Sequence, residues 1–247
     1  MVVIIVVIVA VVLIPVILVS SGVLEAGFTG KTFWDWIDVV GIPVVVVIIA
    51  GVFGLMAKKA EQRKNKEQKE RDVDQAREAT LLSYLEVMSN LILVNNLTTS
   101  EKDSPERAIA QAHTFTALRT LDGSRMGILL QFLKESRLID RGRNVISLYG
   151  TNLNKANLSS VDLSGTCLSG VSLKNAEMYN TNLSNADLSY TVLVGADLWE
   201  ADLSNADLRN ANLTDALVKR EQLDKTGDIS GALLPEVIDE IPEVKED

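Results

Sequence analysis

The residues of this chain best suited to chemistry are carboxylates on a fixed spacing: Asp162, Asp187, Asp197, Asp202 and Asp207 are all multiples of five apart. Paired carboxylates can serve as general acid and base, or together form a negative face for a basic partner. Acid–base work also needs a pocket that drives two pKa values apart, and carboxylates on a convex surface lack one. The other reactive side chains are few. Cys167 is the one cysteine, which excludes an intrachain disulfide and a cysteine metal cluster. His113, the one histidine, lies on a predicted helix beside apolar residues and is read as structural. No phosphate-cradling glycine loop, metal-ligand spacing or basic–aromatic nucleic-acid surface occurs. The expectation is a protein that is not an enzyme, holds no cofactor or metal and does not bind nucleic acid directly.

The carboxylates belong to a repeat. From Ile146 the chain divides into 15 gapless repeats of five residues. The third position is Leu in 13 of them, with Met178 and Val218 in the others. After Ile146 the first position is Ala, Thr or Val, and the fifth is Gly, Asn, Ser or Asp in 11 of the 15. A helix cannot use this period, because five residues advance about 140° and scatter the leucines over every side. A straight strand fails as well, since an odd step turns each new repeat to the opposite face. Every small residue and every Leu can point inward only if the chain turns a corner between repeats. The turn-forming fifth position is where that corner falls. The second position, which holds the five aspartates, then faces outward.

"ADLSN", "ADLRN" and "TNLSN" resemble the pentapeptide-repeat proteins. The resemblance implies a right-handed, four-sided β-helix with four repeats per coil. At the ~4.8 Å strand spacing the rod would be about 18 Å long. Asp187 would then stand directly over Asp207, while Asp162 and Asp202 share another face. Asp187, Asp197, Asp202 and Asp207 are the candidate interaction surface. Part of the family mimics DNA and binds DNA gyrase, so inhibition of that enzyme is the alternative function the resemblance implies. Against it, Ser172, Val192 and Leu217 interrupt the acidic faces, and residues 146–225 hold 6 Lys/Arg against 10 Asp/Glu. The plainer reading is that Asp and Asn bond to the coil backbone and solvate it.

Stacked coils expose unpaired backbone at each end and invite edge association unless covered. The "LRTLDGSRMGILLQFL" segment before the repeats and "REQLDKTGDISGALLPE" after them resemble the covering elements of such proteins. Leu129 to Leu133 is assigned to the upper end, and residues 219–235 to the lower. Residues 81–145 are read as a helical region. Its apolar faces are Leu81, Leu85, Met88 and Ile92; then Ala108, Ala112, Phe115 and Leu118; then Leu129, Leu130 and Leu133. Ser104-Pro105 reads as a helix start. Residues 226–247 form a cap and acidic tail.

Residues 1–57 hold three acids and one Lys and are otherwise overwhelmingly apolar. Val2 to Val19 is 18 apolar residues, and Val39 to Ala57 is a second uncharged run. Each approaches the ~20 residues needed to span a bilayer. The expectation is a hairpin of two transmembrane helices at about residues 2–20 and 37–57, with Gly51 and Gly54 allowing close packing. A cleaved signal peptide is the other reading of the first run, but it lacks a basic start and exceeds the usual length. Trp34, Trp36, Lys58 and Lys59 are placed at the membrane interface. Seven Lys/Arg between Lys58 and Arg71, against Lys31 alone in the loop 21–38, put everything from residue 58 in the cytoplasm. Residues 58–80 form a charged helical stalk, roughly 30 Å long over 58–78 at ~1.5 Å per residue.

The apolar N-terminus, the Trp-Asp-Trp element and the charged helix resemble membrane-anchored bacterial members of the family, notably cyanobacterial ones. The expected localisation is therefore a bacterial inner or plasma membrane with a cytoplasmic repeat domain. The expected function is a non-enzymatic scaffold or protein-interaction module. Its expected partners are the lipid bilayer and a protein, with a homo-oligomer left open.

Overall fold

The computed structural model describes residues 42–235. The first apolar run, the Trp34 and Trp36 element and the acidic tail from residue 236 lie outside the described residues. Contacts divide the chain after Asp72 into two units, which are described separately.

Helix α1 runs from Ile42 to Leu93. In the first unit its opening turns carry exposed large apolar side chains, with Val47 at 70%, Phe53 at 68% and Leu55 at 71% of full exposure. Among the described residues, no helix is long and apolar enough to cross a membrane. The two expected spanning helices are therefore not found there. The described part of the second run, Ile42 to Ala57, falls just short of the ~17–25 residues a span requires. From Lys58 to Asp72 the helix is polar on all sides, and pairs one turn apart support it. Gln68 donates to Asp72 at 2.7 Å, Arg71 donates to Gln68 at 2.9 Å, and Lys66 lies 3.8 Å from Glu70.

In the second unit, the end of α1 packs with α2 (Pro105–Thr120) and α3 (Gly123–Glu135). Ser104 caps α2 with Pro105 next, and Asp122 caps α3 by accepting from the Arg125 N–H at 3.1 Å. Two of the expected apolar faces are rotated. On α1, Leu81, Tyr84, Met88 and Leu91 are buried, and Leu85 and Ile92 only partly so. On α2 the inward residues are Ala110, Thr114, Ala117 and Leu118, while Ala108, Ala112 and Phe115 are exposed. One buried polar pair joins the two rotated faces. The Tyr84 hydroxyl lies 2.9 Å from Thr114 Oγ1, which itself donates to the Ala110 carbonyl at 2.8 Å. Both buried hydroxyls are thereby satisfied. Leu129, Leu130 and Leu133 are fully buried, as their spacing requires.

The repeats form a coil. From Asn152 to Asp197, position two of each repeat bridges in parallel to the residue twenty further on, as in Asn152 to Ser172 and Asp187 to Asp207, so four repeats complete a turn. First positions are buried except for the half-buried Val161, and every third position is buried. Buried threonines are satisfied locally: Thr151, Thr166 and Thr191 each donate to a carbonyl three residues back at 2.6 Å. The corners fall at the fifth position. From Gly150 to Asp215 each fifth residue has a φ between +53° and +74°, including Lys155, Tyr190 and Glu200. For these three the left-handed backbone costs roughly 1–2 kcal/mol each, and the coil imposes it regardless.

The upper end is covered, and a short helix covers part of the lower one. At the upper end α3 lies on the first coil, where the Gly123 carbonyl accepts from the Asn157 N–H at 2.9 Å and the Lys134 ammonium reaches the Ser164 carbonyl. The Cys167 N–H donates to the Ile139 carbonyl at 2.7 Å. At the lower end the short helix α4 (Arg220–Leu223) brings in Gln222, whose amide donates to the carbonyls of Leu198 and Ala201, both at 2.7 Å. The coil does not stop at residue 225. Asp228 bridges Asp207 and Leu233 bridges Asn212, now 21 residues apart because the helix inserts one residue.

Candidate interaction surface

The geometry divides the four candidate aspartates among three faces. Asp187 and Asp207 share one with Cys167, Asp202 lies on the face of Asp162 and Asn182, and Asp197 follows Glu177 on a third. They are not brought together as one acidic surface.

Each aspartate instead closes a turn. Asp162, Asp187, Asp197, Asp202 and Asp207 accept from the backbone N–H two residues on, at 2.9–3.2 Å. Asn152, Asn157, Asn182 and Asn212 do the same at 3.0–3.2 Å. Asp and Asn are thus interchangeable in the turn and differ only in charge.

Asp207 departs most from the expected outward carboxylate. Its side chain is 6% exposed, and it pairs with Arg209 at 2.7 Å and Arg141 at 3.3 Å. Hydrogen bonds from the Arg209 side chain hold its carboxyl below the usual range against the opposing effect of desolvation, with help from the Arg209 backbone and both arginine charges. Asp207 is therefore neutralised on the rod. Arg209 was visible two residues away in "ADLRN", whereas Arg141 is 66 residues distant and no local pattern points to it.

Asp162 is also held low, chiefly by the Ser164 N–H, and Asp202 by the Ser204 side chain and N–H. A carboxylate whose folded pKa is lowered stabilises fully above its unfolded value and loses that contribution as pH falls through the folded one. Replacing both with Asn keeps the turns. The melting temperature near pH 7 is therefore expected to fall slightly with loss of the charge-assisted bonds, while its further fall below about pH 4 becomes shallower. Thermal melts across that range check this, and an unchanged acid limb would refute it.

Cys167 is half-buried rather than freely outward. Burial, and secondarily the Asp187 charge, push its thiol up, so it is a poor nucleophile. His113 is exposed beside Tyr84 and Thr116 in a shallow depression. Lys58 and Lys59 are exposed on α1 directly after the apolar turns. Among the described residues, no group of three or more His, Cys, Asp or Glu could hold a metal.

A groove missed by sequence reasoning lies between α2, α3 and the first coil, with a volume of about 620 Å³. Phe115, Met126 and Tyr149 line it together with Arg119. Helical spacing alone had turned Phe115 inward and so concealed it.

Residues 147–175 and 181–217 match the family model for pentapeptide repeats, in eight copies. Among solved structures the chain is similar to a pentapeptide-repeat protein of the cyanobacterium Cyanothece 51142. The identity is 36%, over 35% of this chain and 58% of that one, with a TM-score of 0.32. The chain thus spans little more than half of that protein's length. A pentapeptide-repeat protein of Nostoc PCC 7120 is 33% identical over 36% of this chain and 77% of that one, with a TM-score of 0.22. One from the Arabidopsis thaliana thylakoid lumen is 29% identical over 37% and 67%, also with a TM-score of 0.22. No match was found among curated proteins. With its five-residue period, four repeats per coil and left-handed corners, the chain belongs to the pentapeptide-repeat family and has that family's right-handed β-helix.

Proposed function

We propose that the chain is a membrane-anchored, non-enzymatic interaction module whose β-helix is presented to a protein partner on the cytoplasmic side. The observation that carries the anchor is the start of α1. Large apolar side chains there are exposed, from Val46 at 58% to Met56 at 59%, and seven cations follow within Lys58 to Arg71. Water disfavours such a surface, a bilayer accepts it, and the cations favour the cytoplasmic side. The α3 cover on the upper end of the coil supports binding through its sides rather than stacking at that end. The separation of the acids over three faces and the pairing of Asp207 do not favour mimicry of DNA, which calls for a continuous anionic track.

Extraction in mild detergent is expected to bring down a protein partner with the full chain. The same partner is lost when residues 146–225 are deleted. Repeated crosslinking of membranes without a recovered partner would remove the support for binding.

A further inference from the structure

We propose that the groove between α2 and the first coil is a docking site for an extended acidic segment of a partner protein that carries an apolar anchor. This rests on the reading of the repeat domain as a protein-binding module, and adds the place and the chemistry. The groove is preformed. The Gln111 side chain clasps the Ser147 backbone, donating to its carbonyl at 2.6 Å and accepting from its N–H at 2.8 Å, which fixes α2 against the first repeat. The Tyr149 ring lies over Gly170, where any side chain would collide with it, and remains 68% exposed. Phe115 on the facing helix is 37% exposed. Two exposed aromatic rings on fixed walls suit an apolar anchor entering between them.

The charge around the groove selects the rest of the ligand. Arg119 lines it, Lys155 follows the lining residue Asn154, and the Lys174 N–H donates to the Asn154 side chain at 2.9 Å. All three cations are exposed. Among the described residues none of them has a carboxylate within 4 Å, whereas Arg125, Arg141, Arg209 and Lys219 are all paired. An acidic segment supplies the missing charge. A long nucleic acid fits less well, because beyond Lys155 and Lys174 the repeat segment it would run along is net acidic.

The test uses the full chain in detergent micelles and a labelled dodecapeptide of Glu and Ser with two central Ile residues, read by fluorescence anisotropy. Binding is expected to weaken about tenfold or more when Gln replaces Glu in the peptide, and likewise in the Arg119→Glu/Lys155→Glu variant. Phe115→Ser is expected to weaken it severalfold. Circular dichroism should be unchanged in the charge variant, since both side chains are exposed. Equal binding of the Glu and Gln peptides, indifference to charge reversal, or tighter binding of a single-stranded oligonucleotide would overturn the proposal. Binding seen only after removal of residues 236–247 would identify this chain's own acidic segment as the occupant and overturn the partner assignment. If a partner still co-purifies in full with the charge-reversed chain but not with the chain lacking residues 146–225, the groove assignment fails while the interaction module stands.

Discussion

Leu188→Asp is expected to unfold the β-helix, while Asp187→Ala, one residue away, leaves it folded. Leu188 is fully buried, and its backbone N–H pairs with the Asp207 carbonyl at 2.8 Å in the middle of the rod. Truncating a buried Leu alone costs about 2–5 kcal/mol. An unpaired buried carboxylate adds several more, or takes up a proton at comparable expense. The sum approaches the ~5–15 kcal/mol stability of a whole domain. Asp187 instead accepts from the Ser189 N–H at 3.0 Å and hydroxyl at 2.6 Å, so its removal costs about 1 kcal/mol per bond. Urea titrations followed by far-ultraviolet circular dichroism separate the two variants. Equal damage would contradict the register.

Gly127→Ala is expected to destabilise, against the usual sense of that change in a helix. Ala normally gains about 1 kcal/mol over Gly at an interior helical site. A methyl group at Gly127 would overlap the Asn157 carbonyl oxygen, which is backbone and cannot swing aside. Gly123 is equally confined against the Lys155 carbonyl, so α3 meets the first coil along two glycines one turn apart. Overpacking of this kind costs about 1–3 kcal/mol or lifts the helix away. Lifting α3 would bare the upper edge of the coil, so the variant should also self-associate. Thermal melts with light scattering read both effects. A Gly127→Ala variant that melts at or above the parent temperature and stays monomeric would show that α3 does not seal the edge.

The coil was legible because its determinants are local and repeated. A five-residue period admits one inward set and one corner, so Leu188, Ala186 and the turn at Tyr190 could be placed from spacing alone. Tyr190 is instructive, since its own propensity opposes the left-handed backbone and the fourteen consecutive corners override it. The helical region was less legible because amphipathic spacing tolerates rotation by one residue. Tyr84 is buried rather than Leu85, and Thr114 rather than Phe115, with a hydrogen bond between residues thirty apart that no local pattern shows. Pairing of Arg141 with Asp207 was hidden for the same reason. Sequence marked the aspartates as a surface, but only the stacked coil shows them divided among faces and engaged in turns.

Three carboxylates around one guanidinium hold α1 to α3 within the second unit. Arg125 lies 2.9 Å from both Asp74 and Glu78 and also pairs with Asp122. Asp122 is held below its ordinary range: burial opposes this, and the Arg125 backbone and guanidinium outweigh it. This joint was not foreseen from sequence, because Asp74 and Glu78 are about fifty residues from Arg125 and charges of both signs are common on helices.

Membrane anchorage through the apolar residues before Lys58 is tested most directly by extracting membranes with alkaline carbonate. The full chain is compared with a chain that begins at Lys58. An anchor buried in the hydrocarbon core resists carbonate, so the full chain should remain in the pellet while the shortened chain appears in the supernatant. Recovery of the full chain in the supernatant would contradict the anchor and leave the β-helix without its proposed tether.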